Sequence, residues 1–582
     1  MSDHNTSATS RPVLVLDADQ PSALSIVRAL GRKGLCVHVA SAASAPLAGY
    51  SRFAIETLRY PDPLREESGF IAWLTERLSQ QDLELVIPVT ERTLVPILRH
   101  RGSLDDSRLA MAPSEALEQV LDKERTIELA SSLGIPVPKS LNIGSLDDIE
   151  QAEAVLGYPM VVKPSRSVGQ DSQQRVQLSV SYAHNRTELE ARLRHALRFG
   201  SVILQELFSG VGVGIELIAD RGTVRFAFQH RRLHEVPLTG GGSSLRVSEA
   251  IVPELLTASS RLMEALRWHG VAMVEFKYAP ETGSFRLMEI NGRFWGSLPL
   301  AIAAGANFPV MLHELLTTGK LGHYPPARDG VVCRQLARDI DWLEHVLRAR
   351  SVPQWVTLPT KRDIMRDTLL ILSPRHHFDV QTLSDIRPGL VDLKRIISRQ
   401  WRRFTGALHE RRRLAAERLA ARPGGAARKQ LASAHSVLFL CYGNINRSAL
   451  AHAYAEMQFP ARFSISSAGF HADSGRPADP TMVKVAGERG VALDTWSSTT
   501  LDRALVEKAD IILAMEVAHL DRLFTEFPEA KGKAFLLGAP IASRVEEVEI
   551  GDPYQKSQAT YIGVRDRVLA AIDAWFAHSR TP

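Results

Sequence analysis

Val437-Leu438-Phe439-Leu440-Cys441-Tyr442-Gly443-Asn444-Ile445-Asn446-Arg447-Ser448 reads as a buried strand, a short loop and the start of a helix. The apolar run ends on Cys441, so its sulfur falls at the carboxyl edge of a sheet. The loop residues Tyr442, Gly443, Asn444, Ile445 and Asn446 can turn their amides inward. A helix beginning near Ser448 points its positive end at the same spot. These dipoles and Arg447 favour a thiolate. Arg447 offers a planar fork to two phosphate oxygens, and Ser448 can donate its hydroxyl to the sulfur. Far downstream, Asp552-Pro553-Tyr554 holds Asp552 on a proline-stiffened loop as a candidate proton donor. A Cys and an Arg at this spacing would mean little alone. With the strand before, the Gly-Asn within, the Ser after and the distal Asp-Pro-Tyr, they describe a nucleophile, a cradle for negative charge and an acid.

Working outward, further strands are predicted at 463–467, 511–515 and 534–537. A closing amphipathic helix carries Val564, Val568, Leu569, Ile572 and Phe576 on one face. Residues 435–582 are thus expected to form a four-stranded, parallel, doubly wound domain with its ligand at the carboxyl ends of the strands. The whole chain has 582 residues, too many for one core. Residues 12–115 alternate strand and helix: Val13–Leu16, a helix over 22–30, Val37–Ala40 and Leu85–Pro88. No Gly-x-Gly-x-x-Gly follows the first strand, which argues against dinucleotide binding there. Residues 116–325 read as strand pairs mixed with helices, with Asp220-Arg221-Gly222 as a hairpin turn. Residues 326–434 read as a mixed segment followed by a basic helical connector, broken at Arg422-Pro423-Gly424-Gly425-Ala426. The fold class is α/β multidomain.

The composition, 45% hydrophobic and 23% charged, is that of a soluble globular protein. Met1 to Arg11 has no signal pattern, and no apolar run reaches the roughly 18 residues of a membrane span, so a cytoplasmic protein is expected. Cys36, Cys333 and Cys441 are too few and too scattered for a disulfide framework or a zinc site. The net charge is only +5, but cations crowd residues 391–430, including Arg411-Arg412-Arg413. Contact with nucleic acid or an anionic membrane is one reading of that stretch. The blander reading, a solvated linker helix, is preferred because no aromatics interleave regularly with the arginines.

A second constellation lies upstream. Glu275 and Glu289 fall on two strands that would pair, and Asn291 follows closely. Two carboxylates and an amide oxygen suit Mg²⁺ holding a nucleotide phosphate. Arg293 is placed to meet developing phosphate charge. Lys123 and Lys163 can reach other phosphate oxygens, and the loop Ser165 to Ser172 can close over them. Gln205-Glu206 ends a strand before Gly210, a plausible hinge for contact with adenine.

Two resemblances emerge from these residues. The stretch from Ser436 to Phe576 resembles the low-molecular-weight protein tyrosine phosphatases. It does so through the opening segment, Ser467-Ala468-Gly469, Gly475-Arg476-Pro477-Ala478-Asp479, Ala509 to Met515 and Asp552-Pro553-Tyr554. The resemblance implies a phosphocysteine on Cys441, phosphate held by Arg447, Asp552 as general acid and then base, Asn444 bracing the loop, and Tyr554 and Tyr442 walling an aryl ring. A phosphotyrosine protein would be the substrate, with no cofactor needed. The family usually has a second cysteine at the position of Asn446, so Cys441 here should be easier to inactivate irreversibly with peroxide. It also tends to have His and Arg where this chain has Trp496-Ser497-Ser498-Thr499, and a second Tyr where it has Gln555, departures that bear on substrate preference. Arsenate reductases share the fold, but no cysteine follows Cys441 to take over the oxidation.

Residues 12–325 resemble the ATP-grasp superfamily, nearest its carbamoyl-phosphate-synthase-like and carboxylate-amine ligase branch. The matching stretches are Leu121-Asp122-Lys123, Tyr158 to Pro164, Leu204-Gln205-Glu206 and Met288 to Ser297. The resemblance implies a Rossmann-like domain ahead of ATP-grasp α+β domains. It implies ATP and Mg²⁺ as cofactors, with a small carboxylate activated as an acyl phosphate and captured by an amine or other nucleophile. Lys123 and Lys163 would bind phosphate, Gln205 and Glu206 adenine, and Glu275, Glu289 and Asn291 the metal. The glycine loop Gly240-Gly241-Gly242-Ser243-Ser244, with Arg246, would cover or touch the substrate. The alternative is a module that binds ATP as a sensor or docking element and ligates nothing.

Overall fold

A computed structural model describes residues 11–577, except 165–167, 172–173, 178–179, 350–351, 353–355, 461 and 555. The chain divides into two units, Met1–Ile397 and Ser398–Pro582. In the first unit, β1 (Val13–Val15), β2 (Val37–Ser41), β3 (Glu56–Arg59) and β4 (Leu85–Ile87) form a parallel sheet in the order β3-β2-β1-β4. Val13 and Val15 enter one hydrophobic core and Leu14 another, so both faces of the sheet are covered. That is why β1 reads as an unbroken apolar run. The edge strand β3 has alternating exposed side chains and escaped the sequence reading.

Next come β5 (Ser140–Ile143), β6 (Met160–Pro164), β7 (Ser181–Ala183) and β8 (Val202–Glu206), antiparallel in the order β5-β8-β6-β7. A seven-stranded sheet follows. Its strands are β9 (Val211–Asp220), β10 (Thr223–Val236), β11 (Gly242–Glu249), β12 (Gly270–Ala279), β13 (Ser284–Asn291), β14 (Val332–Arg334) and β15 (His376–Phe378), in the order β13-β12-β9-β10-β11-β14-β15. Arg221 and Gly222 both have positive φ, 48° and 93°, as a tight turn between β9 and β10 demands.

β14 and β15 lie in the segment read as a connector, yet they extend this sheet. Charge, not apolar periodicity, holds the helices between them. Buried His234 of β10 lies 2.8 Å from Asp339 and 3.1 Å from Asp367, and its ring stacks on Trp342 at 3.4 Å. Burial alone would lower the His234 pKa, but the hydrogen bonds and charges of the two carboxylates raise it. Such partners, one helix each, leave no periodic signal in the sequence.

The second unit carries β16 (Ser436–Cys441), β17 (Ser464–Gly469), β18 (Ile511–Ala514) and β19 (Ala534–Leu536), all parallel in the order β17-β16-β18-β19. The helix Arg447–Gln458 follows β16, and Gln558–Phe576 closes the unit with Val564, Val568, Ile572 and Phe576 buried. The long basic helix, Ile386–Ala420, ends before Arg422–Gly425, and a short helix, Ala426–Ser433, leads into β16. Among the described residues, no single helix is long and apolar enough to cross a membrane.

Candidate functional site

The loop after β16 closes around the Cys441 sulfur. The Asn444 amide donates to Sγ at 3.2 Å, and the Ser448 hydroxyl lies 2.9 Å from it. The Asn444 side-chain amide donates to the same hydroxyl at 2.9 Å, so the Ser448 proton is left to point at sulfur. Two donors converging on one buried sulfur suit an anion. Asn444 is fully buried with φ of 52°, a left-handed conformation that Asn tolerates better than most residues. Its side chain also donates to Ser467 at 2.9 Å and accepts the Thr499 amide at 2.8 Å, while its carbonyl accepts the Trp496 indole N–H at 2.8 Å. Gly469 is required beside this loop, since a Cβ there would fall 2.6 Å from the Tyr442 carbonyl oxygen.

Trp496 and Thr499 were read as departures bearing on substrate preference, but here they hold the loop's backbone. Their sequence offered no sign of this, because they sit about fifty residues away in a stretch without regular structure. Trp496→Phe keeps the ring and removes one buried hydrogen bond. It should lower kcat on p-nitrophenyl phosphate about tenfold, the scale of an unsatisfied buried carbonyl. A parent-like kcat would show that the indole donor does not hold the loop.

Arg447 is buried beneath this loop. Its guanidinium donates to the Ile550 carbonyl at 2.7 Å and pairs with Glu516 at 3.2 Å and Asp552 at 2.9 Å. Its Nε is buried with no partner, a donor left over for an incoming anion. Asp552 also accepts the Tyr554 amide at 3.2 Å. Buried His519, beside Glu516, has its pKa pushed down to about 4 by burial and then by the Arg447 charge. It is neutral at pH 7 and adds no cation to the site. Tyr442 and Tyr554 stay about half exposed, one on each loop that carries the chemistry. Sequence reasoning missed Glu516 and His519, which precede and open the helix after β18.

In the first unit, a cavity of about 550 Å³ is lined by Lys123, Lys163, Gln205, Glu206, Glu275 and Glu289, together with Gly240–Gly242. On β12 and β13, Glu275 pairs directly with Glu289 because Met288 is an extra residue, a bulge that re-aims the strand. Like charges placed opposite each other cost stability. The Asn291 amide donates to both carboxylates, at 3.1 and 3.3 Å, and Arg232 of β10 pairs with Glu275. Half-buried Lys163 has its pKa lowered to about 8 by desolvation first, with the Glu289 charge opposing and Lys123 adding to the fall. The Gln205 side-chain carbonyl is buried with no partner, and Glu206 pairs with Arg286 at 3.4 Å.

These residues fit the groups expected of them. Two carboxylates and an amide that can turn its oxygen inward form a hard-cation donor set. Two lysines supply charge for phosphates, and the Gln205 carbonyl can accept from an exocyclic amino group. Two expectations need correcting. Arg293 is not among the residues lining this cavity; its guanidinium pairs with Glu91 at 3.1 Å at the start of the helix after β4. Arg246 turns inward to Asp379 at 2.6 Å and the Gly296 carbonyl, so it is a buried ion pair rather than a substrate contact. Arg232 was not foreseen. Of the loop Ser165 to Ser172, residues 165–167 and 172 lie outside the described residues, and Val168–Asp171 forms a strand paired with Gln174–Gln177.

Comparison with known proteins follows the same division. A family model described as low molecular weight phosphotyrosine protein phosphatase matches residues 436–580. Another, described as ATP-grasp in the biosynthetic pathway with Ter operon, matches residues 198–338. The probable low molecular weight protein-tyrosine-phosphatase EpsP of Ralstonia nicotianae is 33% identical over 145 residues, 25% of this chain and 96% of that protein. Wzb of Escherichia coli K12, a low molecular weight protein-tyrosine-phosphatase, is 37% identical over 141 residues, 24% of this chain and 92% of that protein. A solved L-amino acid ligase from Bacillus licheniformis is 18% identical, with a TM-score of 0.43, covering 53% of this chain and 74% of its own. At that distance it adds nothing to the family model.

Proposed function

Through residues 436–580 the chain belongs to the low molecular weight protein-tyrosine-phosphatase family, and on that premise we propose that its second unit hydrolyses phosphotyrosine in proteins through a phosphocysteine. The observation that carries this reading is the Cys441 sulfur held by two hydrogen-bond partners above an arginine with a spare donor. The ester phosphate displaces Asp552 from Arg447 and takes the guanidinium edge of Nη2 and Nε, while Nη1 keeps the Ile550 carbonyl and Glu516. Asp552, protonated from solvent once it has left the guanidinium, gives the leaving oxygen its proton as Sγ attacks phosphorus and the P–O bond to the phenol breaks. Water then attacks the phosphocysteine, Asp552 takes its proton, and the S–P bond breaks to release phosphate and restore the thiolate. Ser448 supports the sulfur as it leaves, and the amides from Tyr442 to Asn446 cradle the equatorial oxygens.

For the first unit the reading is an ATP- and Mg²⁺-dependent ligase joining a carboxylate to an amine or other nucleophile. When bound, Mg²⁺ would neutralise nucleotide phosphate charge. Glu275, Glu289 and Asn291 would hold it, Lys123 and Lys163 would bind phosphate oxygens, and Gln205 and Glu206 would position adenine. One observation favours a second reading, ATP binding without ligation: Arg232 already neutralises Glu275. Release of ADP from the full chain, screened against a set of small carboxylates, separates the two. Ligation predicts carboxylate-dependent ADP release that falls about 10³-fold or more in Glu289→Ala. Tight ATP binding with no turnover under any carboxylate would leave the sensor reading.

A further inference from the structure

The long helix carries a face that neither proposed activity uses. Ile386, Leu390, Ile397, Trp401, Phe404 and Leu408 follow one another at intervals of three, four or seven residues, so they share one side of the helix Ile386–Ala420. All six are exposed: Ile397 by 67%, Trp401 by 65% and Phe404 by 62%. Residues 401–412 are exposed on every side, so this stretch is not the solvent edge of a packed helix. Exposed Arg387, Lys394 and Arg412 flank the stripe, and Arg402 lies further round the helix. From Ile386 to Arg413 there are nine Lys or Arg against two acids. Applying the helical period thus separates an apolar stripe from the cations, a pattern that the linear sequence hides.

We propose that this helix lies on an anionic lipid surface, its apolar stripe at the acyl boundary and its cations among the headgroups. An apolar face of Trp, Phe and Leu with a strongly cationic remainder is the composition such binding requires. The charge selects this occupant over the rivals. A second copy of the helix would bring like cations together along the seam. A nucleic acid would gain charge contacts and could stack on Trp401 and Phe404, but it would leave Ile386, Leu390, Ile397 and Leu408 in water, which an acyl boundary covers.

The test is sedimentation of the full chain with phosphatidylcholine vesicles, with and without about 30% phosphatidylserine. The phosphatidylserine vesicles should bind it at least tenfold more tightly, and less so as salt rises. W401S/F404S should weaken that binding tenfold or more. K394Q/R402Q/R412Q should weaken it about 10²-fold, roughly fivefold per cation. Turnover of p-nitrophenyl phosphate should be unchanged in both variants, since none of these residues touches the phosphate loop. If W401S/F404S loses that turnover, it has misfolded, and the glutamine variant decides. Equal sedimentation with and without phosphatidylserine would overturn the proposal. So would capture of an oligonucleotide in place of vesicles, or a dimer that W401S/F404S dissociates while vesicles bind neither form.

Discussion

Replacing Cys441 by Ser should lower turnover of p-nitrophenyl phosphate by about 10⁴-fold or more, and should abolish the burst of p-nitrophenol seen with the parent. The site around position 441 is built for a sulfur anion. The Asn444 amide and the Ser448 hydroxyl both approach Sγ, and the Asn444 side chain fixes which way that hydroxyl points. A serine hydroxyl presented to the same donors stays protonated and is a poor nucleophile. Arg447 and the loop amides are untouched, so binding of inorganic phosphate should persist within a few-fold. The pair of measurements separates loss of chemistry from loss of the site. If Cys441→Ser hydrolysed the ester at the parent's rate, the sulfur would not be the nucleophile. If it lost phosphate binding as well, the loop would have collapsed and the kinetic result would say nothing of mechanism.

The legible parts of this chain are those whose partners are adjacent in sequence or whose strands announce their pairing. Cys441 to Ser448 is one contiguous loop, so nucleophile, cradle and guanidinium could be read together. Glu275 and Glu289 were readable because two apolar strands implied a ladder, and the observed register puts them opposite each other. The bulge at Met288 that makes the alignment possible has no sequence mark. Arg232 reaches Glu275 from a strand forty-three residues earlier, in a run of His and Arg that looks like any solvated edge. Arg293 sits two residues beyond Asn291, and proximity in sequence suggested a shared site. Past the end of β13, however, the chain leaves the sheet, and the side chain meets Glu91 instead. Trp496 shows the converse. It stood in a stretch read as a departure from the family's His and Arg, yet its indole supplies a hydrogen bond to the loop carbonyl.

Arg447→Lys should cost about 10³-fold in kcat/KM on aryl phosphates, through both a lower kcat and a higher KM. The loss follows from how much the guanidinium does at once. One edge donates to the Ile550 carbonyl and faces Glu516, the other faces Asp552, and Nε remains for an incoming anion. A lysine ammonium can satisfy the carbonyl and one carboxylate, but it has no flat edge to offer two phosphate oxygens in the crowded transition state. Losing two charge-assisted hydrogen bonds in a buried site is enough for the expected fall. Charge is retained, so melting should stay within a few degrees of the parent, and inorganic phosphate should still bind, though weakly. Glu516 supplies the control. Glu516→Gln leaves the fork intact but frees one of its anchors, and it should raise KM by several-fold with kcat nearly unchanged. A kcat/KM for Arg447→Lys within tenfold of the parent would mean that a point charge suffices here. The loop amides, rather than the planar fork, would then be the main support for phosphate.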